Sequence, residues 1–141
     1  MQNLVNTEHV QLDRDDARRM LVLRRKGTRL TVETLPAAFA PLEAPMRAVD
    51  RARWSILMDL RGAPMNNDPD YENAMRRHVE HVAGGFRRRA ILVKSAVGLL
   101  QVNRASRNYQ DAEGVPAPEV FRDEDAAVEW LTAPDGAQPR T

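Results

Sequence analysis

Residues 61–70, RGAPMNNDPD, bring two asparagines and two aspartates to the point where an apolar run gives way to a capped helix. A strand that passes through a loop into a helix is a common place for working residues in α/β proteins. This loop has no serine, cysteine, histidine or lysine, so it lacks the usual nucleophiles and bases. Its amides and carboxylates suit hydrogen bonding to another macromolecule. Arg61, Asn66, Asn67, Asp68, Asp70, Tyr71, Asn73 and Arg76 are the candidate partner-binding residues, spread over the loop and the first turns of the helix. Asp68 has a second reading as a plain N-cap worth about 1 kcal/mol.

Other residues with chemical potential are sparse. Lys94 and Ser95 stand at a strand end and a helix start, where free N–H groups attract anions. With Arg104 they form a candidate site for phosphate or a nucleotide, although the glycine-rich loop of nucleotide-binding motifs is missing. His78 and His81 lie three apart with Glu80 between them. Positions i and i+2 do not share a helical face, and the metalloprotease pattern needs histidines four apart, so no metal site is expected. GGFRRRA (84–90) reads as a solvated run of charge. No serine falls beside a histidine in a way that suggests a triad. Asp59, near the end of an apolar strand, is the acid with a claim to burial. It either caps a loop or pairs with Arg61 or Arg104. No enzyme activity and no cofactor are expected.

The elements that must position these groups follow from periodicity. HVQLD (9–13) alternates weakly and MLVL (20–23) is an apolar block with basic ends, which predicts two short strands before Gly27. Thr34 and Pro36 open a helical stretch in which Phe39, Leu42, Met46 and Val49 recur at spacings of three, four and three. Pro41 and Pro45 interrupt it, and an interior proline costs about 3 kcal/mol, so a kink or break is expected. The alternative is a strand over RLTVETL. WSILMDL (54–60) is apolar on both faces, as a central strand covered by helices should be. Asp68-Pro69 then opens a helix carrying Tyr71, Met75, Val79 and Val82, which stops at Gly84-Gly85. RRAILVK (88–94) is a further strand and Ser95 caps a predicted helix over 96–110. A short strand around Val120 and Phe121 leads to Asp123, the cap of a last helix with Ala127, Trp130 and Leu131 on one side. Strands alternating with helices imply a mostly parallel sheet with a crevice at its carboxyl ends. The loops after Leu60, Lys94 and Phe121 should converge there.

Composition sets the outer limits. The chain has 141 residues, 43% of them apolar, enough for one domain with a real core; the domain is placed at 1–133 and a frayed tail at 134–141. Its net charge of +1 gives no long-range attraction to nucleic acid or to a membrane surface. Nineteen arginines against two lysines reflect a biased coding sequence more simply than a functional arginine site. Without cysteine there are no disulfides and no thiolate chemistry. No run nears the roughly 18 apolar residues of a membrane span, and a cytoplasmic location is expected.

Four pieces, the paired N-terminal strands ending in RRKG, the strand WSILMDLRG, RRAILVKS entering a helix, and the closing VFRDEDAAVEWL, together resemble the STAS domain, and most of all its SpoIIAA-like branch. The resemblance covers about residues 9 to 132. It implies an open mixed, mostly parallel sheet of four to five strands with about four helices. It also implies a non-enzymatic module of bacterial signalling, whose partner would be an anti-sigma factor, a kinase, another signalling regulator or a polarity-complex component. In the phosphorylated antagonists of that family, a serine at the start of the helix after the central strand is the switch. Here Asn67-Asp68 occupies that place, so the resemblance implies docking through residues 61–77 without a phosphoswitch. Homo-oligomerisation through a helix face remains an alternative.

Overall fold

The computed structural model describes residues 1–95 and 118–137. One six-stranded sheet runs in chain order: β1 (Gln2–Asn6), β2 (Val10–Asp15), β3 (Met20–Arg25), β4 (Ser55–Asp59), β5 (Arg88–Leu92) and β6 (Glu119–Phe121). The first three strands pair antiparallel, and β3 to β6 pair parallel. The α/β class and the mostly parallel, mixed sheet agree with expectation. The strand count does not: the described residues form six strands, not four to five. The unexpected one is β1, whose QNLVN is largely exposed and carries little alternation, and which has a register irregularity between Asn3 and Val5. A bulge of this kind also discourages pairing with other chains at an open edge.

The prolines act as expected. Between β3 and β4 the helical stretch is broken into α1 (Leu35–Phe39), a single 3-10 turn containing Pro41 (Ala40–Leu42), and α2 (Glu43–Arg47) with Pro45 in its first turn. RLTVETL forms no strand. The break leaves the apolar face intact: Leu35, Phe39, Leu42, Met46 and Val49 are all buried. α3 (Pro69–Ala83) joins β4 to β5, and α4 (Glu124–Thr132) follows β6. The helix expected over 96–110 lies outside the described residues.

The pleat sorts the core into two layers, since alternate residues of a strand face opposite sides. Leu21, Leu23, Ile56, Met58, Ile91, Val93 and Val120 pack with α1, α2 and α3. Met20, Val22, Leu57, Ala90, Leu92 and Phe121 pack with Ala127 and Leu131 of α4. β4 therefore lies inside the sheet, buried along its whole length and covered on both faces. No described helix is long and apolar enough to cross a membrane.

Candidate functional site at the carboxyl edge of the sheet

The parallel register sets Arg24 of β3 beside Asp59 of β4, both on the face covered by α4. Arg24 is the next-to-last residue of β3 and Asp59 the last of β4, so the sheet delivers two opposite charges to its carboxyl edge. Arg24 Nη1 donates to Asp59 Oδ2 and, at 3.2 Å, to Glu124 Oε1 at the start of α4. The chain then turns, and Arg61 closes the cluster. Its backbone N–H and Nε–H both donate to Asp59 Oδ1 at 3.0 Å. Its Nη2 donates to Asp59 Oδ2 at 3.0 Å and to Glu124 Oε1 at 2.9 Å. Two guanidinium groups and two carboxylates thus balance to zero net charge. Asp59 both caps the loop and pairs with Arg61, so the two sequence readings of this acid hold together. The alternative partner Arg104 lies outside the described residues.

Burial alone would raise the Asp59 pKa, but the hydrogen bonds from Arg61 and Arg24 and the Arg61 charge outweigh it and hold the carboxyl below its ordinary range. The Asp59 carboxylate in return raises Arg61 against a small desolvation cost. A carboxylate that accepts four hydrogen bonds and stays ionised is poorly matched to proton transfer near neutral pH. What the arrangement does well is fix a loop.

The expected convergence of loops is present for those that are described. Leu60 N–H donates to Leu92 O and Val93 N–H to Phe121 O, each at 2.9 Å, while Arg61 ties the loop after β4 to the start of α4. Gly62 lies so close to the chain leaving β3 that an added Cβ would stand 3.0 Å from Arg25 O. Ala63 N–H turns back to Leu60 O at 3.1 Å. Beyond this rigid root the tip is exposed. Met65 is 53% exposed, a large apolar side chain in water. Val32, on the segment between β3 and α1, is 38% exposed.

The candidate residues divide into groups. Arg61 belongs to the charge cluster. Asn66 and Asp68 build consecutive turns, with Asp68 N–H donating to Asn66 Oδ1 at 3.0 Å and Asp70 N–H to Asp68 Oδ1 at 3.1 Å. Asp68 is thus the N-cap of α3, as the bland reading had it, and its side chain remains exposed with Asn67, Asp70 and Asn73. Tyr71 turns inward, partly buried against the core beside Arg25. Arg76 is partly buried. Lys94 and Ser95 are exposed at the same edge, and Arg104 lies outside the described residues. Sequence reasoning passed over Met65, Arg24 and Glu124. Met65 was visible as an apolar residue in a polar loop. Arg24 and Glu124 carry no local signal, because only strand register and the placement of α4 bring them to Asp59.

The GGFRRRA segment requires a correction, because its arginines are not a solvated run. Arg87 donates to Leu131 O at 3.1 Å and Ala133 O at 2.6 Å and pairs with Asp135. Arg88 donates to the carbonyls of Trp130, Ala133 and Pro134 and stacks 5.4 Å from the Trp130 ring. Arg89, only 8% exposed, pairs with Glu80 at 2.9 Å. Two of the three satisfy the open carbonyls at the end of α4, where cations also oppose the helix dipole. His81 meets Glu43 at 3.1 Å, and His78 packs edge-on to Phe39 with centroids 5.5 Å apart. No cluster of metal-ligating side chains occurs among the described residues.

The chain matches no protein-family model, no curated protein and no solved structure.

Proposed function

We propose that this chain is a STAS-like, SpoIIAA-like protein-interaction module of the bacterial cytoplasm, docking a signalling partner through residues 61–77. One observation carries the reading. The loop after β4 has a root held by Asp59, Arg24 and Glu124 and a tip that offers Met65 to solvent, rimmed by Asn66, Asn67 and Asp68. An apolar anchor inside a polar rim, on a preorganised loop, is the anatomy of a protein-binding hot spot. Preorganisation matters because ordering a loop on binding subtracts directly from affinity. The absence of a serine from this tip favours constitutive docking, with the fixed charge of Asp68 where a phosphoswitched relative would carry phosphate.

The test is site-specific photo-crosslinking in the native host, with the photoreactive residue at position 65 or, as a control at the opposite edge, at Ala17. A discrete partner captured from position 65 and not from 17, and lost at least tenfold on Met65→Asp with an unchanged melting temperature, supports the reading. Equal capture from both positions, or capture indifferent to Met65→Asp, overturns it.

A further inference from the structure

The chain has six methionines and no cysteine, so its sulfur chemistry is thioether chemistry alone. The fold treats the six unequally. Met20, Met46 and Met58 are at most 3% exposed, and Met75 is partly buried against the core that holds Met46 and Met58. Met65 stands 53% exposed on the loop after β4, and Met1 lies exposed at the start of the chain. An oxidant has to reach the sulfur lone pair, so exposure sets the order of reaction. Among the internal methionines that order puts Met65 first. Changing its polarity leaves the core untouched, and the loop root is held by Asp59, Arg24, Arg61 and Glu124 without it.

We propose that Met65 is a redox modification site, at which hydrogen peroxide converts the thioether to the sulfoxide and switches the docking loop off. The sulfur lone pair attacks one peroxide oxygen and the O–O bond breaks. The proton of the transferred oxygen passes to the other, which leaves as water. Sulfur is oxidised by two electrons and the peroxide is reduced by two. The product carries a polar S–O acceptor where the side chain was apolar, and burying that group in a partner's pocket costs free energy unless it finds a donor. Thiol-dependent reductases return the sulfoxide to the thioether, so the change is reversible. The switch rests on the docking role proposed for residues 61–77, whereas the selectivity of oxidation does not.

The purified full chain is treated with dilute hydrogen peroxide, quenched, and read by peptide mass spectrometry and thermal denaturation. Sulfoxide should form at Met65 at least tenfold faster than at Met20, Met46, Met58 or Met75, with the melting temperature unchanged. Treated and untreated chains, each carrying a photoreactive residue at position 64, are then added to host extract. The band captured by the untreated chain should fall at least tenfold after peroxide. It should return after incubation with a thiol and the two methionine sulfoxide reductases, one for each epimer. In Met65→Leu, which has no sulfur at this position, peroxide should change capture by less than twofold. Oxidation of Met75 or of the buried methionines at the rate of Met65, capture that survives oxidation of Met65, or an equal loss in Met65→Leu overturns the switch and leaves the docking reading standing. An untreated chain that captures nothing overturns the docking reading, and the switch with it.

Discussion

Asp59 Oδ1 accepts the backbone N–H and the Nε–H of Arg61, two residues on, both at 3.0 Å. One carboxylate oxygen therefore turns the chain and clamps the side chain that follows the turn. The other oxygen is held by Arg24 and Arg61 together, which makes the end of the central strand an anchor of the loop that follows it.

Removing that charge leaves Arg24 and Arg61 facing each other with only the half-exposed Glu124 between them. Asp59→Asn should cost about 3 kcal/mol, the low end of the scale for breaking a buried pair from one side, since both arginines are partly exposed. The cost should depend on pH. The folded pKa of Asp59 lies below its ordinary value of 3.8, so its stabilising contribution is present above about pH 4 and is lost as pH falls through the folded pKa. Urea unfolding from pH 7 down to pH 2.5 should show wild type and Asp59→Asn well separated at neutral pH and converging at the acid end. A constant gap would refute the linkage.

Gly62→Ala tests how tightly the root is packed. A Cβ at 3.0 Å from Arg25 O has to push one backbone segment off another, and overpacking of this sort costs about 1–3 kcal/mol. The substitution should lower the melting temperature and also weaken crosslinking from position 65, because the tip moves with its root. Unchanged stability would show that the two segments separate freely.

The two readings of Asp68 separate on substitution. As a cap, Asp68→Asn and Asp68→Ser should keep stability within a few tenths of a kcal/mol, whereas Asp68→Ala should lose about 1 kcal/mol. As a charge that a partner reads, it should lose capture in Asn and Ser alike despite full stability. Denaturant midpoints measured beside capture yields decide between them, and unchanged capture in both would reduce Asp68 to a cap.

Arg88 contacts three carbonyls at the end of α4 and stacks on Trp130. A lysine keeps the charge but not the planar fork. Arg88→Lys should therefore destabilise the fold by about 1–2 kcal/mol, nearly as much as Arg88→Ala. Full rescue by lysine in thermal denaturation would mean that the charge on the helix dipole matters and the carbonyl contacts do not.

Much of this architecture was written locally. The apolar block at residues 20–23, the largely apolar run ending at Asp59, the Asp68-Pro69 start of α3 and the Asp123 start of α4 are short-range signals of strand, buried strand and capped helix, and each element stands where those signals put it. Burial of Asp59 was legible too, because a carboxylate ending such a run has few routes to water. What the chain could not disclose locally is who meets whom. Arg24 and Glu124 lie 35 and 65 residues from Asp59, and only parallel register and the seating of α4 join them. The same holds for Arg87 and Arg88, which look solvated in a linear run and are consumed by carbonyls more than forty residues away. Local periodicity reports which face of an element is apolar. The partners of a charged side chain are chosen by distant backbone groups that need satisfying, and those come within reach only once the sheet and its helices are assembled.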